Sequence, residues 1–179
     1  ELVEVVSKAI ARRMDQICID ALDAAASPST VATTVGGSGT NMNIEKLRAA
    51  AKAMNEKNVP SEDRYLLIHA SQLDSLLSQT EVTSSDFANV KALVQGEVNS
   101  FLGFQVLTMG DRDEGGIPKP STRTCFAWHK DSMGYAESMA QKSEVNYIPE
   151  KTSFLVSSMF SAGAIAIDDD GIVKISCTE

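Results

Sequence analysis

An α+β fold with two lobes is predicted, on three observations. A long amphipathic helical pattern opens the chain, short helices and strands alternate through its middle, and its last third is rich in β-branched residues and turns. A small, polar, glycine-bearing stretch then separates the opening helix from the rest. With 179 residues, 43% of them hydrophobic, the chain can bury a core in one domain or in two small lobes.

Residues 2 to 23 carry Leu2, Val6, Ile10, Met14, Ile17 and Ala21 at helical spacing, with Glu4, Lys8, Arg12, Asp15 and Asp23 falling elsewhere. Such a helix is a rod of roughly 33 Å, long enough to act as a spine. Residues 24 to 42 end in Gly36-Gly37-Ser38-Gly39 and read as a linker or mobile loop, and as the boundary between lobes. Asn43 can cap a helix over 43 to 57 whose apolar face holds Ile44, Leu47, Ala51 and Met54, and Val59-Pro60-Ser61 breaks it. Tyr65 to Ile68 is a continuous apolar run, as in a strand buried on both faces. Ser71 with Asp74 reads as a capping box for a short helix carrying Leu73, Leu76 and Leu77.

Ser85 or Asp86 can open another helix, with Phe87, Val90, Leu93 and Val94 inward and Gly96 closing it. Val98 to Val106 is strand-like, with Gly103 as a bend or bulge, and Asp111 to Ser121 is a turn-rich loop. Thr124 to Trp128 is strand-like again. Val145 and Tyr147 alternate with polar neighbours, and Ser153 to Ile167 is β-branched, aromatic and small. Asp170-Gly171 reads as a tight turn between that run and a last strand with Val173 and Ile175.

The net charge of −8 argues against tight nucleic-acid binding, because phosphate contacts need basic side chains. Cys18, Cys125 and Cys177 fit no zinc or redox spacing and read as reduced thiols in apolar surroundings. No apolar run is long enough to span a membrane. No metal site and no cofactor are expected. Asp168-Asp169-Asp170-Gly171 lacks the alternate acidic positions of a calcium loop and reads as a turn with solvated carboxylates. The glycines at 36 to 39 lack the lysine of a phosphate loop. His69 and His129 each follow a strand, where catalytic groups are found in some α/β proteins, yet neither has a partner constellation.

The order of segments carries more information than any single motif. "EDRYLLIHASQLDSLL" (62 to 77) and "FANVKALVQGEVNSFLGFQVL" (87 to 107) resemble recurring elements of tailed-phage major capsid proteins. "TRTCFAWHKDSMGYAE" (122 to 137) and "YIPEKTSFLVSSMFSAGAIAIDDDGIVKISC" (147 to 177) are similar to the later strands of the same family, in its podophage-type, Hong Kong ninety-seven fold.

That resemblance implies a peripheral lobe, 1–41 and 134–165, and an axial lobe, 42–133 and 166–179. It implies a non-enzymatic shell subunit that assembles in the host cytoplasm into the virion's icosahedral head around double-stranded DNA. Its partners would be copies of itself in pentamers and hexamers, with scaffolding and portal proteins as further candidates, and neither membrane nor specific nucleic acid. The contact loops would include Thr80, Glu81, Ser84, Asp86, Asp111, Asp113, Glu114 and Pro118. The arm and extended hairpin that precede the spine helix in the family have no counterpart here, and the start at Glu1, already in helical pattern, reads as a fragment or processed product. Two rival readings are a nanocompartment shell and a cytosolic α/β enzyme using His69 or His129.

Overall fold

The computed structural model describes residues 2–37, 39–79, 102–110, 116–119 and 121–178. The opening helix is α1 (Leu2–Asp23), followed by strand β1 (Ser29–Val31), helix α2 (Ile44–Glu56), strand β2 (Arg64–His69) and helix α3 (Ala70–Leu77). Strands β3 (Phe104–Met109), β4 (Arg123–His129), β5 (Met133–Ile148), β6 (Ser153–Ala166) and β7 (Ile172–Cys177) complete it. Among the described residues they form a five-stranded mixed sheet, ordered β1-β7-β4-β2-β3, and a separate two-stranded hairpin of β5 and β6.

The five-stranded sheet is apolar on both faces, which is why β2 has no polar alternation. On one face Leu66, Ile68, Cys125, Ala127, Val173 and Ile175 pack under Leu47, Ala50 and Met54 of α2 and Leu76 of α3. On the other, Leu67, Phe126 and Ile172 meet Ile19 and Leu22 of α1 and Ala25 just after it, together with Ile117. Tyr65 and Trp128, paired across β2 and β4, stack with ring centroids 5.6 Å apart.

Several local expectations change. Asn43 does cap α2, its side chain accepting from the Lys46 amide at 2.7 Å. The third helix is capped by His69 rather than Ser71. The helix begins two residues earlier than the box allows, and His69 Nδ1 accepts from the Ser71 amide. Ser29–Val31, expected in a connector, is a strand parallel to β7. The described glycine turn is held as well: Thr40 Oγ1 donates to the carbonyls of Thr33 and Val35, and Asn43 Nδ2 donates to that of Val35. Gly103 (φ +83°) forms the bend, in a turn just before β3, and the residues expected in strand before Leu102 lie outside the described ones. The helix expected from Ser85 or Asp86 lies outside the described residues.

Asp170-Gly171 does not turn a hairpin. Strand β6 takes β5 as its partner, whereas β7 pairs with β4 and β1, so this turn carries the chain from one sheet to the other. It is pinned there, because the amides of Ile167 and Asp168 both donate to the Ser132 carbonyl. Its carboxylates are engaged rather than merely solvated. Asp168 accepts from the Asp170 amide, Asp169 from the Ser27 amide at 2.8 Å, and Asp170 pairs with Lys57 at 2.6 Å.

Gly171 is closely packed in this crossing. A Cβ there would lie 1.8 Å from Ser132 Oγ and 2.9 Å from Ser132 Cβ. Gly171→Ala is therefore expected to cost about 2–3 kcal/mol, read as a lower urea midpoint at unchanged slope. A variant as stable as the parent would show that the 3₁₀ turn Lys130–Ser132 can move aside.

Candidate functional site

The two histidines do not make a site. His129 Nδ1 accepts from the Asp131 amide, as His69 Nδ1 does from that of Ser71. Arg64 is the register partner of His129, and His69 lies five residues further along β2, roughly 17 Å away. Each histidine closes the end of a strand, and they sit at opposite ends of the sheet.

The fully buried cations also serve structure. Lys46 Nζ donates to the carbonyls of Thr40 at 2.5 Å and Ser176 at 3.0 Å, joining the glycine turn to β7. Arg123 Nη1 donates to the Ile117 carbonyl at 3.2 Å. Burial holds the Lys46 ammonium below the ordinary lysine pKa, although the nearby Cys177 and Cys125 push the other way. The folded state thus releases this proton at a lower pH than the unfolded state, and stability rises with pH across that interval. The parent is accordingly expected to gain stability relative to Lys46→Met as pH is raised from 7.5 towards about 10. Urea unfolding of both proteins at several pH values checks this, and a constant difference would contradict it.

The unusual surface is the long hairpin. Along β6 the even-numbered side chains from Ser158 to Ala166 are shielded and the odd ones between them exposed, because α1 lies along one face. Small residues there, Ala162, Ala164 and Ala166, let the helix approach. Gln141 Nε2 donates to Ser7 Oγ at 3.2 Å and fixes the alignment of the helix along the hairpin. Strand β5 continues past Gln141 for about 23 Å, but α1 past Ser7 for only about 8 Å. The last ~15 Å of the hairpin therefore has no described part of α1 beside it.

Two bulges in β5, between Glu137 and Lys142, restore its phase, so that Val145 faces with Val156 and Tyr147 with Phe154 on the helix side of the sheet. The helix-covered face thus runs on, uncovered, into an apolar tip. Phe154 is 72% exposed, Val145 56% and Tyr147 53%, and the two rings lie 5.3 Å apart. Leu155 is exposed on the opposite face, and Met139, Met159, Ile165 and Ile167 are exposed nearer the base. A two-stranded ribbon with this much bare apolar surface is marginal in water unless something covers it.

Of the expected contact residues, Pro118 is half-buried and its carbonyl accepts from the Thr124 amide at 3.1 Å. The neighbouring Ile117 is in the core, so this end of the loop is docked on the sheet. Thr80, Glu81, Ser84, Asp86, Asp111, Asp113 and Glu114 lie outside the described residues. The hairpin tip was not among the expected contacts. Its signal is the alternation of Val145, Tyr147, Phe154 and Val156, which also fits a half-buried strand.

A family model described as phage capsid protein matches residues 1–179. No curated protein matches. Among solved structures, one of Mycobacterium phage Che8 is similar over 94% of this chain and 60% of its own, at 18% identity and a TM-score of 0.72. The head structure of Helicobacter pylori bacteriophage KHP40 is similar over 98% and 68%, at 11% identity and a TM-score of 0.73. The SrpI encapsulin of Synechococcus elongatus is similar over 98% and 64%, at 10% identity and a TM-score of 0.62. The fold is shared with these proteins, and the chain spans about 60% of the length of the first solved chain it matches.

Proposed function

The chain belongs to the phage capsid protein family, and from that membership we propose that it is a structural subunit of an icosahedral head shell enclosing double-stranded DNA. The carrying observation is the uncovered apolar tip formed by Val145, Tyr147 and Phe154, next to the half-buried Val156. In a closed shell the surface that covers it is another copy of the same chain, and repetition of one modest contact around the symmetry axes closes the container. The hairpin with α1 is the peripheral lobe in this reading. The five-stranded sheet with α2 and α3, β1 included, is the axial lobe that packs around the fivefold and quasi-sixfold axes. The loops over 80–86 and 111–121 would add contacts between neighbours, and scaffolding and portal proteins would be further partners in assembly.

The test is to express the full-length protein and examine it by negative-stain electron microscopy with light scattering. Closed shells or ring-like capsomers are expected. Because the subunits carry like net charge of −8, assembly should increase with moderate salt, which screens repulsion. A monomer at every salt and protein concentration would overturn the reading. The shared fold with the SrpI encapsulin supports a second reading, a nanocompartment shell. Nuclease-protected DNA in particles purified from the native host separates the first from the second.

A further inference from the structure

We propose that Cys125 and Cys177 are a redox latch, closing on oxidation into a cross-strand disulfide that ties β7 to β4. The register sets Arg123 opposite Cys177 and Cys125 opposite Ile175, so the two cysteines are diagonal neighbours on the face covered by α2. Both are fully buried, and their side chains hydrogen-bond to each other. Diagonal positions, about 7–8 Å apart, lie just past ordinary disulfide reach, so closure requires a small backbone movement. The closure falls at a place that can yield, because Cys177 is the last residue of β7.

The surroundings explain why the pair stays reduced while the sheet is closed. The hydrogen bond that its S–H donates to Cys177, and burial, both push the Cys125 thiol well up, and no oxidant reaches an unexposed sulfur. The end of β7 is held by Lys46 Nζ on the Ser176 carbonyl, by the Thr178 amide on the Thr40 carbonyl and by Thr178 Oγ1 on that of Gly39. Local opening of these bonds exposes Cys177 first. The Lys46 ammonium, electrostatically coupled to both thiols, then favours the thiolate.

With glutathione disulfide as oxidant, the Cys177 thiolate attacks one glutathione sulfur and expels the other half as a thiolate. The Cys125 thiolate then attacks Cys177 Sγ of the mixed disulfide and expels the second glutathione. The protein dithiol is oxidised, one glutathione disulfide is reduced, and the two protein protons end on the two glutathione thiols. The latch is a property of the folded chain and does not depend on the shell reading.

The experiment incubates the intact protein with glutathione disulfide, alkylates it after unfolding, and digests it with trypsin. Cleavage after Arg123, Lys130 and Lys174 places the two cysteines on short, separate peptides. The expected product is the disulfide-linked pair of those peptides, with Cys18 outside it. The oxidised protein should melt about 5–10 °C above the reduced one, a difference abolished in Cys125→Ala. Oxidation that leaves both cysteines alkylatable, or that joins either one to Cys18, would overturn the proposal. A linked protein that melts lower would overturn it too.

Discussion

Replacing Phe126 with alanine is expected to cost about 3–5 kcal/mol. Phe126 has no exposed surface and lies at the join where Ile19 and Leu22 of α1 meet Leu67, Ile117 and Ile172 of the sheet side. The ring is held between a helix and a sheet that have other contacts of their own, so neither collapses fully into the space it leaves. Phe154→Ala on the isolated subunit is the control. That ring is 72% exposed, and its loss should change stability by less than about 0.5 kcal/mol. Urea unfolding of both variants reads the contrast. A Phe126→Ala cost under about 1 kcal/mol would mean that the join closes without the ring.

The second large effect is on assembly. The double variant Tyr147→Ser and Phe154→Ser should keep the subunit's stability close to that of the parent and lower the yield of closed shells at least tenfold. Each side chain is worth about 1.5–3 kcal/mol when its apolar surface is buried, and the loss recurs in every subunit. Light scattering and electron microscopy at matched concentration give the answer. Shells formed at parental yield would show that the tip stays uncovered in the particle, and the contact between copies would then lie elsewhere.

Much of the fold was legible in the sequence because burial imposes periodicity. The stripe from Val6 to Ala21 gave α1, Asn43 gave the start of α2, and the apolar run at 65 to 68 gave β2. The stripe was too narrow, however. Ile19 and Leu22 are almost wholly buried because the end of α1 turns a second face to the sheet, and helical spacing within the helix carries no sign of that. The Asp-Gly turn was legible as a turn but not as a crossing between sheets, since partner choice depends on strands far away in sequence. His69 was legible as a strand end, and its capping role required the helix boundary to be known within one residue. The hairpin tip was legible as strand and illegible as surface, because its alternation is the same whether the apolar side meets its own core or another molecule.

The bulges between Glu137 and Lys142 have a consequence for how this hairpin tolerates change. Side-chain direction along a strand has a parity, and one extra residue inverts it for everything beyond. β5 carries a matched pair of such insertions, so the inversions cancel and the tip returns to the parity of the base. An insertion or loss of one residue here would turn Val145 and Tyr147 to the far side of the ribbon without touching either of them. Changes in steps of two would lengthen or shorten the reach with the same side chains presented. The segment acts as a phase-setting joint, and length variation among related hairpins that keep an apolar tip should come in even steps.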